Sequence, residues 1–300
     1  MRGGKTIWFI DQVAASMDSL ASTSNTMAVH GNLNLDDQLF RYGCRVNGNL
    51  ILDLQAAYIP INTAPPGNPP KWDYFPWVYF PLIMPTVKHP IVNNLNAVKG
   101  EFVSSIDTVA ADAVTKTFLL ISSRYSKVVN APVNINLQSI ALRPDEKQFN
   151  RPGQPLSLLL EGVFHSNFKN RIPPEIAYNT KIGFRETGEN NKMIVVADGD
   201  IIRNQVQKST GRAYPLGFDK YTGQEFGNKD FVMNCFDYLC DDSNLIGVRS
   251  RELKLRLLDK TEITTHRFGW QLANTCLPVA IIILIGLVKA AIRKRKYGAD

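Results

Sequence analysis

Residues 192–205 read KMIVVADGDIIRNQ, and this stretch sets residues able to do chemistry at the end of an apolar run. A lysine leads into five apolar residues, then Asp198, Gly199 and Asp200. Two carboxylates therefore sit at the mouth of a buried strand. Open α/β sheets hold their ligands at such strand ends, and an acid pair there can move protons or hold a cation. The same residues also suit a joint between a strand and a helix. An aspartate at a helix start accepts backbone N–H groups, worth about 0.5–2 kcal/mol. No third carboxylate or histidine lies near in sequence, so the joint is the favoured reading. Gly199 lets the chain turn, and Arg203 can pair with either acid. Asn204 is the polar neighbour that would share a ligand or partner site with Asp198 and Asp200. On this reading Asp200→Asn lowers stability modestly and releases no metal.

Other reactive patterns are missing from the sequence. A nucleophile elbow needs its cysteine or serine in a glycine frame, and Cys44 in YGCRV has none. Glu161 and His165 lie close together, but in an apolar strand and its exit. GGKT at Gly3–Thr6 lacks the first glycine of a phosphate loop, and Lys5 enters a strand instead of a helix. The chain is therefore expected not to hydrolyse ATP. Cys44, Cys235, Cys240 and Cys276 fit no zinc spacing and read as small buried apolar residues. No catalytic residue, metal or cofactor is expected. A second polar and aromatic grouping is KWDYFPWVYF, with Trp72, Tyr74, Phe75, Trp77, Tyr79 and Phe80 in nine positions. Such rings can make a sugar-stacking or protein-docking surface, and they equally suit a strand that buries alternate rings. Trp72 and Trp77 are the candidate contact residues.

Stepping outward, short apolar strands carry these groups: KTIWFID, LILDLQAAYIPI (a strand or strand pair), KTFLLISS, PLSLLLEGVF and KMIVVAD. Helices alternate with them. In LNLDDQLFRYGCRVN, Leu35, Leu39 and Tyr42 share a face, Asn34 can cap the start and Gly43 can end it. In NKDFVMNCFDYLCDD, Phe231, Cys235 and Leu239 recur at four-residue intervals. SNLIGVRSRELKLRLLDK fits either a strand or a helix. The alternation predicts an α/β layered sheet, largely parallel, with helices on both faces. Residues 62–150 are irregular, with a proline-dense loop, and predict a β-rich excursion.

Charge excludes one partner class. The chain has 34 basic and 27 acidic residues, of which five and one fall in 289–300. The first 288 residues are thus near neutral, and no nucleic acid is expected as a partner. The basic tail follows nineteen uncharged residues from Trp270 to Val288. At 1.5 Å per residue these cross about 30 Å of hydrocarbon, and Pro278 is tolerated there. Trp270 marks one interface. Arg293, Lys294, Arg295 and Lys296 mark the other and predict a cytoplasmic tail. The expected organisation is a soluble domain over 1–260, a linker over 261–269, a membrane helix over 270–292 and a basic tail over 293–300. The N-terminus shows no ordered signal-peptide pattern and enters a buried strand at once, so the chain is expected to be the C-terminal portion of a longer protein.

Several stretches together resemble a known family: GGKTIWFID, HPIVNNL, LLISSRYSKVVNAPV, LLLEGVFHSNFKNRIPP, MIVVADGDIIRNQV and PLGFDKYTGQEFGNKDFVMNCFDYLCDD, in family order. They are similar to the C-terminal half of the G-subunit family of the gliding-motility ABC transporter of Bacteroidetes-type bacteria. More broadly, they resemble the auxiliary, substrate-binding-like proteins of ABC transporters. The resemblance implies a flavodoxin-type, class I amidotransferase-like fold and a role beside an ATP-hydrolysing subunit and a multi-span permease. With the charge bias of the tail, the expected location is the bacterial inner membrane, with the soluble domain on the periplasmic side. The expected function is a non-enzymatic, membrane-anchored accessory subunit whose small-molecule ligand is unknown. The alternative is an envelope hydrolase or sugar-binding protein using Asp198, Asp200 and the 72–80 aromatic stretch.

Overall fold

The computed structural model describes residues 3–65, 67–111, 113–142, 144–207, 209–241 and 267–298. In chain order they form β1 (Thr6–Phe9), β2 (Val13–Ala14), α1 (Met17–Thr23), β3 (Asn25–His30), α2 (Asp36–Tyr42), β4 (Cys44–Val46), β5 (Asn49–Asp53), β6 (Ala56–Asn62) and β7 (Trp72–Ile83). Next come β8 (Val98–Lys99), β9 (Ile106–Thr108), β10 (Val114–Ile121), β11 (Ser126–Asn130), β12 (Val133–Asn136), β13 (Pro155–His165), α3 (Pro174–Ala177), β14 (Thr187–Val196), α4 (Asn228–Cys240) and α5 (Arg267–Tyr297). The ambiguous stretch SNLIGVRSRELKLRLLDK lies outside the described residues.

The central sheet has the order β1-β14-β13-β10. Its two middle strands bury alternate residues in two different cores. Ile194 and Val196 join Leu159 on one face, where α4 supplies Phe231, Val232, Cys235 and Leu239. Met193 and Val195 join Leu158 and Leu160 on the other, under Leu39 and Tyr42 of α2, Cys44 and Val46 of β4, and Ile106 of β9. The period of two along the strand and of about four along α4 account for both sets. Phe231, Cys235 and Leu239 are all buried, as their spacing implies.

The mixed α/β class holds, but the largely parallel sheet is corrected. Among the described residues β1 pairs with β14 in parallel, and the other eight strand pairings are antiparallel. The apolar run of β13 misled for a physical reason. Burial on both faces is the usual mark of a parallel strand, and here an antiparallel strand receives it from α4 and from the α2, β4 and β9 layer. These pairings lend no support to flavodoxin-type layering. The strand pair read from LILDLQAAYIPI is β5 and β6.

The β-rich part is real and begins earlier than residue 62. It comprises β12-β3-β2, β11-β5 and β6-β7-β8, around a core that includes Leu20, Leu50, Ile59, Trp77, Phe80 and Ile135. The Asn34 cap is also corrected. Asn34 takes a left-handed backbone conformation with φ of 55°, and Leu35 occupies the cap position without a side-chain bond. Gly43 does end α2, with φ of 99°, a conformation glycine adopts without a Cβ penalty.

α5 is a single helix with Pro278 inside it. Its segment Asn274–Arg293 has a mean hydropathy of 2.4 and is long and apolar enough to cross a membrane. Trp270 falls in its first turns, and the helix continues through Arg293, Lys294, Arg295 and Lys296. The basic cluster is therefore a helical extension of the apolar segment.

Candidate functional site

The parallel register of β1 and β14 brings two strand ends to the same place. Asp11 leaves the end of β1, and Asp198, Gly199 and Asp200 leave the end of β14. Asp198 is completely buried. Its carboxylate accepts the backbone N–H of Glu101 at 2.9 Å and of Asp200 at 2.8 Å. Asp11 accepts the Gly199 N–H at 2.6 Å. Gly199 has a φ of −78°, which any residue adopts, so what glycine itself supplies there is room. A Cβ there would stand 2.5 Å from an Asp11 carboxylate oxygen. Asp200 opens a 3-10 turn, Asp200–Ile202, instead of the α-helix read from sequence, and pairs with Arg203 at 2.8 Å.

Residues remote in sequence complete the cluster. Lys99, on β8, is only 6% exposed and holds Glu101 and Asp219, each at 3.0 Å. Asn228, at the start of α4, clamps Lys99 through its backbone: its side-chain oxygen accepts the Lys99 N–H at 2.9 Å and its amide donates to the Lys99 carbonyl at 2.8 Å. The same amide donates to the Ile201 carbonyl at 3.3 Å. The Asp219 carboxylate also accepts the Thr222 hydroxyl at 2.6 Å. α4, β8 and the end of β14 are thereby tied at one point. Sequence reasoning missed Lys99, Glu101 and Asp219. Their one signal is a pair of opposite charges around Gly100 in the apolar context AVKGEFV.

Burial dominates the electrostatics. It raises the Asp198 carboxyl well above its usual range, and the neighbouring Asp200 charge adds to this. Asp200 is pushed up to about 7 by burial and by Glu101, against the pull of Arg203. Burial works against the Lys99 charge, but Glu101 and Asp219 outweigh it and leave its pKa raised. An isolated buried lysine would lose its proton more easily, so the cluster is held together by mutual compensation.

The arrangement offers little room for a reaction. The cavity beside Lys99, Glu101, Asp200, Arg203 and Asn228 measures about 30 Å³, which holds about two waters and no organic substrate. Among the described residues no group of three or more His, Cys, Asp or Glu side chains is arranged to hold a metal ion. Burial pushes the Cys44 thiol up to about 12 and raises that of Cys235 too, so neither is a ready nucleophile at neutral pH. Glu161 accepts the Tyr238 hydroxyl at 2.8 Å.

The other candidate residues are scattered. Asn204 donates to the Tyr214 carbonyl at 2.7 Å and closes a surface loop. Trp72 and Trp77 part company. Trp77 is 1% exposed and packs against Tyr79, ring centroids 5.1 Å apart. Trp72 is 58% exposed. The register sets Asn62 opposite Trp72, Pro60 opposite Tyr74 and Tyr58 opposite Pro76, so one face of the β6-β7 ribbon presents Tyr58, Trp72 and Tyr74 to solvent. The half of β7 beyond Pro76 turns its rings into the core.

No curated protein and no solved structure matches the chain. Residues 1–235 match a family model described as an ABC-type uncharacterized transport system. That match spans the central sheet, the β-rich part, the acid cluster and most of α4, and the chain belongs to this family.

Proposed function

We propose that the chain is a non-enzymatic, membrane-anchored accessory subunit of an ABC transporter that serves gliding motility. Membership of the family makes it an auxiliary component of an ABC-type transport system, and that match is the observation that carries the reading. The remaining parts are supported by chemistry. The charges of the acid cluster satisfy one another and leave a space of only about 30 Å³ beside them, which favours an architectural role over turnover. Energy for transport then comes from a separate ATP-hydrolysing subunit, and passage through a separate multi-span permease. The apolar segment Asn274–Arg293 suits a single anchor. The basic residues from Arg293 to Lys296 favour a cytoplasmic tail, which sets the large domain in the periplasm of a bacterial inner membrane.

Deletion of the gene in its source bacterium tests the motility part. Loss of surface spreading at an unchanged growth rate is the expected outcome, restored by the intact gene supplied in trans. Spreading at the parental rate contradicts it.

A further inference from the structure

A second site lies away from the acid cluster, where the layer of α2, β4 and β9 meets β3, β5 and β11. It is an open cleft of about 910 Å³, within the size range of small-molecule sites. Four ionised side chains line it: Asp36, Arg45, Asp107 and Arg151. Arg45 and Asp107 stand directly opposite each other on β4 and β9, a position in which opposite charges normally meet. Among the described residues neither they nor Asp36 and Arg151 form an ion pair.

The cleft is built on fixed parts. Its floor is Asn49 and Ser105, 7% and 4% exposed. The Ser105 hydroxyl accepts both the Asn47 and the Asn49 amide at 2.9 Å. Arg151 is clamped by its backbone, whose N–H donates to the Ser126 carbonyl at 2.9 Å and whose carbonyl accepts the Ser126 hydroxyl. At Gly48 a Cβ would stand 2.7 Å from His30 Nδ1, so glycine lets that imidazole close onto the wall.

We propose that this cleft binds a short peptide in its zwitterionic form, with the carboxylate against Arg45 and Arg151 and the ammonium against Asp36 and Asp107. The charges select this class. A simple anion would be drawn by two guanidinium groups and repelled by two carboxylates. A neutral saccharide would partly desolvate four charges and return none. A ligand carrying both signs satisfies both pairs, and arginine reads a carboxylate through two parallel bonds. The volume exceeds the needs of one amino acid and suits a few residues. The proposal goes beyond the transporter reading and stands or falls independently of whether an ATPase and a permease co-purify.

Titration calorimetry on the full chain in detergent tests it, with trialanine as the probe. Free trialanine is expected to bind. Blocking the N-terminus by acetylation or the C-terminus by amidation is expected to weaken binding by at least about tenfold. In Arg45→Gln and Arg151→Gln the amidated and free peptides become equivalent, and in Asp36→Asn and Asp107→Asn the acetylated and free peptides do. All four side chains are at the surface, and unchanged melting temperatures verify that the variants fold. Capped peptides binding as well as free trialanine, binding of maltotriose or acetate in its place, or no binding of trialanine at all would each overturn the proposal.

Discussion

Asp200 shows how far a residue's role depends on what it meets. Its spacing in DGD fits a stabilising turn acid, and on that basis Asp200→Asn lowers stability. The burial of Asp200 favours the opposite sign. Asp200 is buried beside Glu101, with Asp198 and Asp11 near, and burial pushes its carboxyl up to about 7. A group whose folded pKa is raised contributes stability that is fully present below its unfolded value and lost as pH rises through the folded one. Stability is therefore expected to fall between about pH 4 and 7. Removing the charge with Asp200→Asn should raise stability at pH 8 by about 1–3 kcal/mol and flatten this slope. Arg203, which is 58% exposed, loses little by losing its partner. Thermal melts of parent and variant at pH 5 and pH 8 check this. A variant less stable than the parent at pH 8, with the slope intact, would mean that the carboxylate is stabilising. The pairing of Asp200 with Arg203 was legible in the sequence because it is local. Lys99 and Asp219 were not, because a buried ion pair between residues 120 positions apart leaves no periodic trace.

At the scale of elements, β7 divides at Pro76. Trp77→Ala empties a fully buried site and should cost about 3–5 kcal/mol. Trp72→Ala removes an exposed ring and should leave stability within about 0.5 kcal/mol of the parent. Urea denaturation of the two variants separates the cases, and equal losses would mean that the β6-β7 ribbon is buried along its whole length. Ring density in KWDYFPWVYF revealed an aromatic strand. Which rings face outward depended on the pairing with β6, and sequence supplies no partner. Helices were easier to read. The four-residue recurrence in α4 gave its buried stripe directly, since a helix makes its own hydrogen bonds and its period is visible without a neighbour. The direction of the strands was not legible, because β13 is buried on both faces whichever way its neighbours run.

For the whole molecule, family membership over residues 1–235 makes it an auxiliary component of an ABC-type transport system, and the apolar segment of α5 is long and apolar enough to serve as an anchor. The apolar segment was plain in the sequence because nineteen consecutive residues carry no charge. The orientation proposed for it rests on four basic residues close beyond the apolar run. A green-fluorescent fusion at the C-terminus should fluoresce and an alkaline phosphatase fusion there should be inactive, and the opposite pattern would place the tail outside. The most direct measurement is on the assembly itself. The full chain, affinity-tagged and purified from native membranes in mild detergent, should co-elute on size exclusion with one ATP-hydrolysing subunit and one multi-span permease in fixed proportion, with ATPase activity in that peak. Elution of the chain by itself, with transporter ATPase and permease in other fractions, would contradict its assignment as an accessory subunit.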